Sequence, residues 1–112
     1  MGFREMLQGV QVVDELVSVR HEMLERSMAS DHRPLLLTNV KESPGHRAAL
    51  NIIDRDRLCE SFGVEPGELI DILAWAMDNP SEPVLVGAPE APVLENTMEK
   101  VDLSTLPIPW HY

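Results

Sequence analysis

An apolar run with a turn behind it constrains this chain more than any other feature. Pro34–Val40 reads PLLLTNV, Lys41–His46 reads KESPGH, and Arg47–Ile53 reads RAALNII. Proline has no N–H to give a ladder, so it is tolerated at the first residue of a strand, and the leucines after it suit a strand buried on both faces. Pro44-Gly45 supplies the fixed φ and the permissive residue that a tight turn requires. The pattern predicts two strands joined as a hairpin, and the fold has to be built round that pair.

The flanking segments supply the other elements. Phe3, Met6, Leu7 and Val10 share one face of a short amphipathic helix, which Gly9 is placed to stop. Val10–Val19 is rich in β-branched residues and reads as a strand interrupted near Asp14–Glu15, and Arg20–Asp31 follows as a helix. Asp54 is positioned to cap a helix over Arg55–Phe62 whose Leu58, Cys59 and Phe62 line one side, with Gly63 at its left-handed end and Val64 beside it. Pro66 opens the most periodic helix of the chain, PGELIDILAWAMD, and Asn79-Pro80 ends it. Leu69, Ile72, Leu73, Ala76 and Met77 form its expected core stripe, opposite Glu68, Asp71, Trp75 and Asp78. A short strand is expected at Val84–Val86. Prolines 83, 89, 92, 107 and 109 then favour an extended course. The expected fold is α+β: a small mixed sheet with helices packed on it and a Pro-rich extended C-terminal tail. The chain reads as a single domain, 1–112, with a compact part over about 1–88 and a tail over about 89–112.

Composition narrows what such a domain can do. At 112 residues and 44% hydrophobic content the chain suffices for one core. The net charge of −10, with lysine only at Lys41 and Lys100 and no basic run, disfavours nucleic acid and anionic membrane as partners. Acidity on this scale serves solubility or attracts a basic partner surface. A single cysteine, Cys59, rules out an internal disulfide framework and a multi-cysteine zinc site. No apolar run is long enough to span a membrane and Met1–Glu15 lacks the order of a signal peptide, so a cytoplasmic setting is expected.

A search for chemistry finds no site. The six glycines form no phosphate-binding loop, and His21, His32, His46 and His111 show no metal-ligand spacing. Cys59 falls on an apolar helix face, where a thiol behaves as a small hydrophobe, and His46 reads as a turn residue. Asp54/Asp56 and Glu68/Asp71 read as a helix cap and a solvated face, and exposed carboxylates keep pKa values unsuited to acid–base catalysis. Catalytic, cofactor-binding and metal residues are therefore expected to be none. Trp75 is the oddity, a large aromatic within an acidic stripe. Two readings account for it: cover by the chain's own proline-rich tail, or contact with another subunit or domain.

The ordered motifs resemble a known family. Arg33–Val64 resembles a segment of the UbiD family of decarboxylases, with Asn39-Val40, Gly45, Asn51, Arg55 or Arg57 with Leu58, and Gly63 in the family's places. Ala91–Tyr112, containing VDLSTLPIP, resembles its later motif, and Val13–Val19 an earlier one in which Asp14 stands where glycine is usual. The resemblance implies reversible non-oxidative decarboxylation of aromatic or α,β-unsaturated acids, with prenylated FMN, Mn2+ and K+. It covers only the family's N-terminal domain, so flavin, metals and catalytic residues are expected on a larger UbiD-like chain. On this reading, favoured by the start at Met1 over a fragment of a longer polypeptide, the chain is a small subunit in a hetero-oligomer. The expected partner interface is Trp75 with Leu106, Pro107, Ile108, Pro109, Trp110, His111 and Tyr112. The rival reading is a stand-alone acidic protein-interaction or regulatory module without an enzymatic role.

Overall fold

The structure, a computed structural model, describes residues 2–111. Tyr112, one of the expected interface residues, lies outside them. Four α-helices are present: α1 Phe3–Met6, α2 Glu22–Ala29, α3 Arg55–Phe62 and α4 Leu69–Asp78. Three strands, β1 Gln11–Val13, β2 Leu35–Leu37 and β3 Ala48–Leu50, form one mixed sheet in the order β1-β2-β3. The α+β expectation is met, and the Pro34–Ile53 pattern produces the hairpin it predicts.

The leucine run takes the central position, where both its edges find partners. β2 pairs antiparallel with β3, Leu35 opposite Leu50 and Leu37 opposite Ala48. On its other edge β2 pairs parallel with β1, Val13 opposite Leu37. A parallel pair needs a crossover, and α2 supplies it. The interruption at Asp14–Glu15 is real: pairing lapses after Val13 and resumes with Val17 opposite Val40, one residue more on the first strand than on the second. The Val17 N–H donates to Asn39 O at 3.0 Å and the Lys41 N–H to Val17 O at 3.0 Å.

Period-two alternation puts Val13, Leu35 and Leu37 into one buried cluster with Val17, Val19, Val40 and Met23 of α2, and Ala48 and Leu50 pack against it. Ile52, Cys59 and Leu69 are also buried. Beyond Leu69 no residue is buried among those described. The radius of gyration, 17.5 Å, exceeds the roughly 13 Å of a compact chain of this length.

Several local rules hold in detail. The Asp54 side chain accepts the Arg57 N–H at 2.8 Å, capping α3. Gly63 closes that helix at φ 66°, and the Val64 N–H reaches back to Cys59 O at 3.0 Å. Arg57 also donates to Met6 O at 2.8 Å, which holds α1 against α3. Pro66–Glu68 form a turn ahead of α4 in which Glu68 accepts the Glu65 N–H at 2.9 Å, so the regular helix begins at Leu69 and not at Pro66.

The expected strand at Val84–Val86 does not form, and Leu85 is 96% exposed. Valine's strand preference is a preference for packing on a pleated surface, and no strand pairs with this segment to provide one.

Asn51 joins the end of β3 to the end of α2. Its φ is 56°, in the left-handed region that asparagine tolerates. Its amide donates to Ser27 O at 3.3 Å, Ser30 Oγ at 3.3 Å and Arg33 O at 3.1 Å, and its Oδ1 accepts from Ser27 Oγ at 2.7 Å. Asn51→Ala loses these bonds and adds backbone strain, at a cost of about 3 kcal/mol. Asn51→Gly, free of the strain, is expected to recover about 1 kcal/mol of that loss in urea unfolding.

Ser43 is fully buried, and its Oγ has no hydrogen-bond partner among the described residues. An unpaired buried hydroxyl costs free energy that a methyl does not. Ser43→Ala is accordingly expected to leave stability unchanged or raise it by about 1 kcal/mol; a lower unfolding midpoint would show that the hydroxyl is paired.

Candidate interaction surface

α4 forms because ten residues run without a breaker, and the Asn79 side chain then closes it by donating to Trp75 O at 2.8 Å. Its first turn is anchored: Leu69 is buried and Ile72 half-buried. The rest of the expected core stripe is not in the core. Leu73 and Ala76 are exposed, and Met77 is 84% exposed. Ile70 and Trp75, outside that stripe, are exposed as well. The helix is apolar on most of its circumference and leaves the small core after one turn, a condition that calls for burial.

Trp75 is 60% exposed and shares a cleft of about 390 Å³ with Val64, Glu68, Asp71 and Ile72. Among the described residues no part of the tail lines this cleft, so the reading in which the chain's own tail covers Trp75 finds no support there. Downstream the chain makes short 3-10 turns at Ala88–Glu90, Pro92–Leu94 and Leu103–Thr105, and Val93 within the second and Met98 and Val101 before the third are exposed.

The end of the tail behaves differently. The Trp110 N–H donates to Val19 O at 2.8 Å, and the His21 N–H donates to Trp110 O at 3.0 Å. The Arg20 guanidinium lies 4.6 Å from the Trp110 ring centroid, a cation–π distance. Leu106, Ile108 and Trp110 line a cavity of about 320 Å³ with Val19, Arg20 and Glu42. Pro107 is half-buried, while Pro109 and His111 are exposed. Trp75 and Trp110 therefore sit in separate clefts. Trp110, still 50% exposed, is tied to its own chain.

Glu42 supports that docking point. It accepts a short hydrogen bond from Ser18 Oγ and another from the Val19 N–H at 2.9 Å, while Glu22 accepts the Ser18 N–H at 2.6 Å. Burial pushes the Glu42 carboxyl up. The Ser18 hydroxyl and the Val19 N–H outweigh it and hold the group below its ordinary value. A carboxylate committed in this way braces residues 18–20, to which Trp110 bonds, and is not poised as a base near neutral pH. Nothing local in KESPGH signals the role, because Glu42 and its partner Ser18 lie 24 positions apart.

Cys59 is buried on α3, and His46 is exposed with its N–H on Ser43 O at 3.1 Å beside Gly45 at φ 82°, a turn as expected. A groove of about 720 Å³ is lined by Glu5, Asp54, Asp56 and Glu60, with Arg57 as the cation in its lining. That cation is engaged by Met6 O and Asp54. The surplus of carboxylates would repel a flavin phosphate, so the groove does not fit such a cofactor. Among the described residues no three His, Cys, Asp or Glu side chains are placed to hold a metal ion.

No family model matches the chain, and no curated protein matches it by sequence. A solved structure does. An evolved dimeric form of the UbiD-class enzyme HmfF from Pelotomaculum thermopropionicum, in complex with prFMN, aligns over 97% of this chain with a TM-score of 0.82 and 28% identity. The chain has a UbiD-like domain fold. This UbiD-like domain spans 28% of the length of that enzyme chain. No helix in it is long and apolar enough to cross a membrane among the described residues.

The Glu42 bonds favour the ionised form on folding. The stability they contribute is present above the ordinary carboxyl value of 4.5 and is lost as pH falls through the lower folded value. Glu42→Gln is expected to flatten the acid limb of a stability–pH curve measured by urea unfolding. An acid limb as steep as that of the parent protein would remove Glu42 from this role.

Proposed function

We propose that this chain is a non-catalytic subunit of a UbiD-like enzyme that carries out reversible non-oxidative decarboxylation of an aromatic or α,β-unsaturated carboxylic acid. Prenylated FMN, Mn2+, K+ and the catalytic residues are supplied by a larger UbiD-like chain, and this chain contributes the family's N-terminal domain. One observation carries the reading: the match covers 97% of this chain and only 28% of an enzyme chain solved with prFMN. Two further features support it. The acidic groove suits neither a flavin phosphate nor acid–base chemistry. The C-terminal third leaves Trp75, Met77, Val84, Leu85, Val93 and Met98 exposed, apolar surface that a partner chain would cover.

Co-expression with a UbiD-like large chain from the same genome tests the assembly. The two are expected to co-elute from size exclusion at micromolar concentration, with flavin absorbance and decarboxylase activity confined to the complex. Separate elution, with full activity in the large chain alone, would leave an acidic interaction module as the better description.

A further inference from the structure

Charge is distributed along this chain in a way that the net value conceals. All nine lysines and arginines and all four histidines lie outside residues 58–99, a segment that holds nine of the 19 acidic residues. That segment therefore carries −9 of the net −10, and the remaining residues together are close to neutral. It is also the segment that contains α4 and the exposed Leu85, Val93 and Met98. Solubility alone explains acidity but not its confinement to the part of the molecule with the most uncovered apolar surface.

We propose that residues 58–99, centred on α4, dock into an apolar groove rimmed by lysine and arginine on the larger chain. The proposal rests on the assembly proposed above for the identity of that chain; the character of the groove follows from this surface. The exposed side chains of Ile70, Trp75, Met77 and Leu85 supply the apolar anchors. Asp71, Asp78 and Glu82 lie in the same segment, which contains no lysine, arginine or histidine to neutralise them. A second copy of this chain would bring −9 against −9, so self-pairing through this face is opposed, as is docking on nucleic acid or anionic lipid. Opposite charge on the rim accelerates encounter and fixes register, while the apolar anchors set how long the complex lasts.

The test uses the co-purified pair. Affinity between the full-length chains is measured from about 0.05 to 0.5 M NaCl, a range over which exposed charges become largely screened. Roughly tenfold weakening is expected. Asp78→Lys with Glu82→Lys reverses two exposed charges, one at the last residue of α4, where a lysine suits the helix dipole, and one in the irregular segment after it, so that the fold is retained. These changes are expected to weaken binding at least tenfold at low salt, whereas Asp14→Lys with Glu25→Lys, the same charge change elsewhere, leaves it unaltered. Trp75→Ala is expected to cost tenfold or more at any salt concentration. A complex indifferent to salt and to the Asp78/Glu82 reversal overturns the docking surface and leaves the assembly standing. Absence of any complex at low salt overturns both.

Discussion

The structure depends on β2 having a partner on each edge and a buried side chain at each end. Leu35 and Leu37 sit in the centre of the sheet because β1 and β3 satisfy the backbone groups on either side. Three strands of three residues offer a narrow face, however, and Met23 with Val13, Val17 and Val19 occupies it. A surface of that size has little left to cover a fourth helix. α4 is therefore held at Leu69 and Ile72 and released beyond them, and the apolar side chains that follow are exposed among the described residues.

That shortfall connects architecture to the proposed role. A domain of this length that keeps its apolar residues to itself has a smaller radius than 17.5 Å. Here polar bonds hold the N-terminal half together: Asn51 joins α2 to β3, Glu42 braces the segment at Ser18–Val19, and Arg57 ties α1 to α3. The C-terminal end is fastened to this scaffold by Trp110 on Val19. Between Leu69 and Trp110 most of the large apolar side chains are exposed, and this is the surface that the proposed assembly would cover.

Much of the local structure was legible in advance, since its causes are local. Asp54 three residues before Arg57, Gly63 after Phe62, and Pro44-Gly45 between two apolar runs each have one comfortable backbone solution, and each adopts it. The lapse at Asp14–Glu15 was visible for the same reason. Val84–Val86 was misread because a strand is made by its neighbour, and valines alone cannot provide one. Trp75 stands out in the sequence as an aromatic within an acidic stripe, but whether the tail covers it is not legible there; Leu73 and Met77 on the same helix belong by periodicity to a core that does not reach them.

Periodicity, caps and turn chemistry thus mark where the helices and the hairpin fall, because those choices are made over a few positions by sterics and backbone hydrogen bonding, while Val84–Val86 shows that a strand also needs a neighbour. The folded arrangement alone decided which apolar faces are covered. That Glu42 meets Ser18, that Trp110 returns to Val19, and that α4 projects past the core are products of long-range packing. Each depends on how much sheet surface three short strands can offer, a quantity that no single segment encodes.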